Sequence, residues 1–333
     1  MSRGAGQLPN SLTERWVQKQ SHHLHGRCRD HNAQPSVALR AVRPARSLSS
    51  AGVSRGSSRT VQLRGLPFRY LEWGGDSPPL VLLHGRGAAA RSWEPIARVL
   101  GRKRRVIALD QRGHGESAHA QDYAWERWVE DLEAFWGALD LGCVPLVGHS
   151  MGGGHAMRFA ATHAENVERL VLVDKDLAGM PAHSATWADF WTAFAQLVPV
   201  EGFASFDDYL DVASIAFPRA HRQAIAETSV DLVLGQQGRW QWAHSADPTA
   251  LGLDISDTVE HGLIKRVRCP TLVVRPEHSE VLARDGLTDL VSAFATAELV
   301  ELPDSGHIVM WDNPDGMAIV IEEFLARPSS GDA

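Results

Sequence analysis

A serine between glycines, in Gly148-His149-Ser150-Met151-Gly152-Gly153, is the residue of this chain best suited to nucleophilic chemistry. Apolar residues 144–147 precede it, and small residues that open a helix follow it. A G-x-S-x-G step in that setting is a nucleophile elbow, a sharp strand-to-helix turn that exposes the serine hydroxyl. Side chains at positions 148 and 152 would collide with neighbouring structure, so glycine stands at both. A serine hydroxyl is a weak nucleophile alone. It needs a base to take its proton, an acid to orient that base, and fixed donors for the oxyanion that develops.

His307 is selected as the base from 16 histidines because it lies in a Gly-His turn after an apolar strand run and comes last in the chain. The acid should follow a strand between Ser150 and His307. Glu280 is the first choice, Asp174 the second and Glu277 the third, with Asp176 and Asp304 read as turn or surface residues. The oxyanion donors are expected to be the backbone N–H groups of Met151, next to the nucleophile, and Arg86, in the loop after His84. His149 and His155 flank the elbow but are expected to point away from it. Asp110 and Arg112 are assigned to holding loops.

Apolar runs at 79–83, 105–109, 144–147, 169–173, 270–274 and 298–302 read as strands buried on both faces of a sheet. Helices are expected between them, over 92–100, 125–141, 151–163, 283–294 and 314–326. Residues 61–66 and 68–73 read as two further short strands joined by a turn. Such alternation predicts an α/β fold with a mostly parallel, doubly wound sheet. Each suspicious residue follows the carboxyl end of a strand, the edge at which open parallel sheets gather ligands. The alternation defines a core of residues 59–177 and 263–327. Between its two parts, residues 178–262 are helical in tone, with no convincing strand run beyond Leu232–Leu234, and dense in aromatics (Trp187, Phe190, Trp191, Phe194, Phe203, Phe206, Phe217, Trp240, Trp242), and are read as an inserted helical cap.

Residues 1–58 are rich in Arg, Ser, His and Gln, lack periodicity, and are expected to be a largely disordered basic extension. Their composition is that of an organelle transit peptide, and equally that of an extension foreign to the native protein or read from a mis-chosen start. The four histidines His22, His23, His25 and His31 lack acidic partners and are read as a solvated tail. Residues 328–333 are expected to form a flexible tail. Of the 33 basic and 40 acidic residues in the 333-residue chain, residues 1–59 hold ten and two, so the remainder is strongly acidic. An acidic body argues against nucleic acid as a partner. No apolar run reaches the ~18–20 residues of a spanning helix, so no membrane span is expected. Three scattered cysteines, Cys28, Cys143 and Cys269, make neither a disulfide framework nor a cysteine-built metal site and fit a reducing, cytoplasmic setting. No metal or cofactor is implied.

From about residue 60 to 327 the chain resembles the α/β-hydrolase fold superfamily. The resemblance rests on Leu83-His84-Gly85, Asp110-Gln111-Arg112-Gly113-His114-Gly115-Glu116-Ser117, the elbow around Ser150, and Gly306-His307. It is nearest to cofactor-free, esterase-type members with a helical cap. It implies Ser150 and His307 as nucleophile and base, and the turn near Glu280 as the usual place of the acid. That turn commonly reads Gly-x-x-Asp or Gly-x-x-Ser-Asp. Here Pro276 replaces the glycine and Glu280 stands where aspartate is usual. A serine rather than an aspartate at the elbow argues against a dehalogenase or an epoxide hydrolase.

The resulting expectation is a serine hydrolase acting on a carboxylic ester, thioester or lactone of a small, hydrophobic acyl substrate through an acyl-enzyme. Hydrolysis of an activated carbon–carbon bond or cofactor-free peracid formation on the same triad is the alternative. A catalytically silent, ligand-binding member is the alternative from another class.

Overall fold

A computed structural model of the chain describes residues 40–41, 55–75, 78–177, 202–229, 233–236, 238–242, 259, 261–284 and 287–327. All of them fall in one unit, Ala38–Ala333. Most of the expected extension 1–58, the tail 328–333 and much of the expected cap, including Trp187, Phe190, Trp191 and Phe194, lie outside the described residues.

The strands are β1 (Arg40–Ala41), β2 (Ser57–Leu63), β3 (Leu66–Trp73), β4 (Leu80–Leu83), β5 (Val106–Leu109), β6 (Val144–His149), β7 (Val167–Val173), β8 (Val233–Gln236), β9 (Arg239–Trp242), β10 (Thr271–Pro276) and β11 (Ala297–Leu302). Nine of them form one sheet in the order β1-β11-β10-β7-β6-β4-β5-β3-β2. The strands from β11 to β5 run parallel, and the hairpin β2–β3 closes the far edge antiparallel. This division follows from sequence. The short runs Leu80–Leu83 and Val106–Leu109 are apolar throughout and buried throughout, as a strand covered on both faces must be. Ser57–Leu63, at the edge, is largely exposed and mostly polar.

The helices among the described residues are α1 (Glu94–Leu100), α2 (Trp125–Leu139), α3 (Met151–Thr162), α4 (Phe206–Ala216), α5 (Arg222–Thr228), α6 (His261–Ile264), α7 (Leu287–Ser292), α8 (Val309–Asp312) and α9 (Pro314–Leu325). In α2 the buried Trp128, Leu132 and Phe135 recur at helical spacing on one stripe. From Met151 to Ala161, α3 is buried on every side, which its small residues permit.

Three expectations are corrected. Arg40–Ala41, inside the stretch expected to be disordered, pairs parallel with Val300–Glu301 at the sheet edge. The cap stretch expected to be helical contains the hairpin β8–β9. Its signal was an alternation of Trp240 and Trp242 with Arg239 and Gln241, a period of two that aromatic density alone conceals, after a turn at Gly238 with φ +77°. The helix expected over 283–294 spans only Leu287–Ser292.

Candidate active site

Ser150 lies between the end of β6 and the first residue of α3, with φ 50° and ψ −118°. That left-handed backbone is uncommon for a residue with a side chain and is stored strain at a turn. The surroundings hold it there. Ser150 N–H donates to the Val173 carbonyl at 3.0 Å, and its own carbonyl accepts from Gly153 and Gly154. A Cβ at Gly148 would lie 2.4 Å from the Gly152 carbonyl oxygen, and one at Gly152 would lie 2.5 Å from that of His84. Ser150 remains partly exposed, as a nucleophile must.

His307 Nδ1 lies 2.7 Å from Oδ2 of Asp174. A buried carboxylate accepts, so Nδ1 carries the hydrogen and Nε2 is the ring nitrogen with the lone pair. Asp174 follows β7 directly, is fully buried, and has φ 48°. Its second oxygen, Oδ1, accepts from the Ser279 hydroxyl at 2.5 Å. Glu280, the first-choice acid, is exposed and makes no hydrogen bond or ion pair among the described residues. Glu277 is exposed and accepts the Asp304 N–H at 3.0 Å. The carboxylate on His307 is therefore that of Asp174 and not of Glu280. The physical reason is position: the turn after β10 aims its one buried-facing polar side chain, Ser279, at Asp174 and leaves both glutamates in solvent.

Gly85 runs against the elbow so closely that a Cβ there would lie 3.2 Å from Ser150 Cβ. This brings the loop carrying Arg86, partly buried, beside Ser150 on one side, while Met151 opens α3 on the other. The loop is held by a buried polar chain. His84 Nδ1 lies 2.8 Å from the Gly85 carbonyl, and its Nε2 accepts the Gln111 N–H at 3.0 Å. The Gln111 amide donates to the His84 carbonyl at 2.7 Å and accepts from His155 Nδ1 at 2.8 Å. His155 stacks on Trp128 with centroids 4.4 Å apart.

Two further groups fix the histidine turn. Asp312 Oδ2 accepts the Gly306 N–H at 2.7 Å, and His149 Nε2 donates to the His307 carbonyl at 2.8 Å. Burial pushes the Asp312 carboxyl above its ordinary range, and burial followed by the neighbouring His307 holds His149 well below the usual histidine range. His155 is likewise held well below it, by burial first and then by Arg158. Both buried histidines are therefore neutral. Asp110 accepts the N–H groups of Ala90 and Glu116, and Arg112 makes a two-pronged pair with Asp131, so both hold loops. Among the described residues no cluster of His, Cys, Asp or Glu could hold a metal ion.

The described cap aromatics spend their surfaces on packing. Phe206 meets Trp240 at 5.0 Å and Phe203 meets Tyr209 at 5.5 Å, while Phe217 meets Trp311 of α8 edge-on at 4.9 Å. Trp311 Nε1 also donates to Thr228 Oγ1 of α5 at 2.7 Å. No described helix is long and apolar enough to cross a membrane. Sequence reasoning passed over Ser279, Gln111, Asp312 and the contact of His149 with the His307 turn. Ser279 alone had a local signal, a small polar residue in the turn already singled out for the acid. The others emerge only from distant segments meeting.

Residues 78–314 match the family model described as alpha/beta hydrolase fold. The mouse sn-1-specific diacylglycerol lipase ABHD11 is 30% identical over 281 residues, which cover 82% of this chain and 90% of the lipase. The N-formylmaleamate deformylase of Pseudomonas putida is 28% identical, over 80% of this chain and 96% of its own. The solved structure of E-2-(acetamidomethylene)succinate hydrolase superposes with a TM-score of 0.70 at 22% identity, covering 82% of this chain and all of the other.

Proposed function

The chain belongs to the alpha/beta-hydrolase fold family and is a serine hydrolase; from that premise we propose that Ser150, His307 and Asp174 are its nucleophile, base and acid. The observation that carries this reading is the 2.7 Å hydrogen bond from His307 Nδ1 to the fully buried Asp174 carboxylate. It leaves Nε2 as the proton acceptor, at the same sheet edge as the strained Ser150.

In the first half-reaction Ser150 Oγ attacks the acyl carbonyl while His307 Nε2 takes its proton. The tetrahedral oxyanion is met by the backbone N–H groups of Met151 and Arg86, donors fixed before the charge develops. His307 then protonates the leaving group and an acyl-enzyme remains. Water, deprotonated by the same imidazole, releases the acid in the second half. Asp174 keeps the imidazole in the right tautomer and stabilises the imidazolium. No step asks for a cofactor.

The substrate proposed is a carboxylic ester with an apolar acyl group, which the lipase relative favours. The deformylase relative favours a second class, an N-acyl amide opened by the same attack. Three scattered cysteines favour a cytoplasmic setting, with residues 59–177 and 263–327 as the catalytic core and 178–262 as the cap over it. A fluorophosphonate probe is expected to label the protein, and Ser150→Ala to abolish labelling together with hydrolysis of short-chain esters. Undiminished labelling of Ser150→Ala would remove the serine from its role. No labelling of the native protein would favour a ligand-binding member without catalysis.

A further inference from the structure

We propose that Ser279 is a positioning residue for the acid, the first member of a hydrogen-bonded chain Ser279–Asp174–His307 whose imidazole serves the Ser150 nucleophile. The inference rests on the reading of Asp174 as the acid and extends it.

The direction of the bond is fixed by counting. A serine hydroxyl has one hydrogen and two lone pairs. Ser279 Oγ accepts the N–H of Leu282 at 2.8 Å and that of Val281 at 3.2 Å. Its lone pairs are thereby used, and its hydrogen is left for Oδ1 of Asp174, a group that only accepts. Ser279 cannot turn to another acceptor without breaking its own turn.

The turn itself is fastened to the base. Ser279 N–H donates to the Pro276 carbonyl, His278 N–H to the Ser305 carbonyl at 2.9 Å, and Glu277 N–H to the Leu302 carbonyl. The same strap therefore joins the segment leading to His307 and the hydroxyl that holds Asp174. The two partners come from adjacent strands, since Val173 of β7 is registered with Val274 of β10. Asp174, with no solvent exposure, has one side-chain donor on each carboxylate oxygen. Removing Ser279 leaves Oδ1 buried and short of that donor, free to rotate Oδ2 off the imidazole. In the Gly-x-x-Asp form of this turn the carboxylate falls three residues after the glycine. Counted from Pro276, that position is Ser279, so the turn now contributes a donor to a carboxylate carried by the neighbouring strand.

The test is a double-mutant cycle on steady-state ester hydrolysis, with folding checked by thermal melting. Ser279→Ala is expected to lower kcat about 10- to 100-fold with little change in KM, the loss of one hydrogen bond to a buried charge. Ser279→Thr, which keeps the hydroxyl, is expected to recover most of that loss. In an Asp174→Asn background Ser279→Ala should cost nothing further, because the hydroxyl acts only through the carboxylate. Equal losses in both backgrounds would overturn the proposal in favour of a purely structural turn, as would a Ser279→Ala enzyme of native kcat. Should Ser279→Ala fail to fold, the Thr variant decides: a large fall in kcat in a folded Ser279→Thr enzyme counts against the proposal, and native-like turnover supports it. If Asp174→Asn alone keeps native activity, it is the acid assignment that fails, a result distinct from any of these.

Discussion

His149 and His307 meet ring against ring, with centroids 4.7 Å apart, and the Nε2–H of His149 ends on the His307 carbonyl oxygen. The residue before the nucleophile thus holds the backbone of the base. It does so as an imidazole that burial keeps neutral, and this has a consequence for acid stability. His149 and His155 are both held well below 6.5 by burial. Below that pH the unfolded chain binds protons that the folded protein refuses, so their contribution is fully present above about pH 6.5 and is lost as pH falls. Asp131 and Asp312, raised above 3.8 by burial, act in the opposite sense and nearer that value. Denaturant melts between pH 7 and 5 are expected to show stability falling, by at most about 1.4 kcal/mol per pH unit for each histidine. His149→Gln should flatten this slope, and an unchanged slope would contradict the neutral state of His149.

The two candidate acids separate cleanly by substitution. Asp174→Asn keeps the shape but turns the imidazole to the wrong tautomer, and is expected to lower kcat by about four orders of magnitude. Glu280→Gln, at an exposed position, should leave kcat within about twofold, as surface changes usually do. Steady-state kinetics on one ester decide between them, and the reverse ranking would restore Glu280.

Gly152 admits no side chain without displacing backbone, because a Cβ would lie 2.5 Å from the His84 carbonyl oxygen and 2.6 Å from that of Leu83. Gly152→Ala is therefore expected to push α3 away from the β4 loop and separate Ser150 from the proposed oxyanion donor at Arg86. Fluorophosphonate labelling should fall at least about 100-fold, the usual loss for one displaced donor. Native labelling rates in this variant would mean that the two segments are less tightly apposed.

Arg112 and Asp131 form a buried pair with both bonds at 2.7 Å, and burial rather than lack of a partner is the first reason that the Asp131 carboxyl is raised. Breaking one side strands the other charge. Asp131→Asn is expected to lose about 3–5 kcal/mol in chemical denaturation, while the folded fraction keeps native kcat. A loss below about 1 kcal/mol would mean that water reaches the guanidinium.

The sheet and the elbow were legible in the chain because short, wholly apolar runs and paired glycines are local signals. So was the position of His307, in the turn after the last strand. The acid was not, for a specific reason: both Asp174 and Glu280 follow strands, and only the approach of β7 to β10 decides which carboxylate faces the imidazole. The hairpin at Trp240 and Trp242 was missed because aromatic density hid its alternation. Gln111 and Asp312 act across long stretches of sequence, where spacing carries no information.

The left-handed backbone at Asp174 limits which residues can stand there. Aspartate and asparagine tolerate that conformation better than most residues with side chains, and β-branched ones tolerate it least. Position 174 thus favours the two short residues by backbone, and between them the choice falls to two buried donors, the Ser279 hydroxyl and His307 Nδ1–H, which need two accepting oxygens where asparagine has one. One base change converts the aspartate codon into the asparagine codon. Such a protein would keep the backbone turn while setting an NH2 group against one of those donors, so the carboxylate answers to the hydrogen bonds on both its oxygens as well as to turnover.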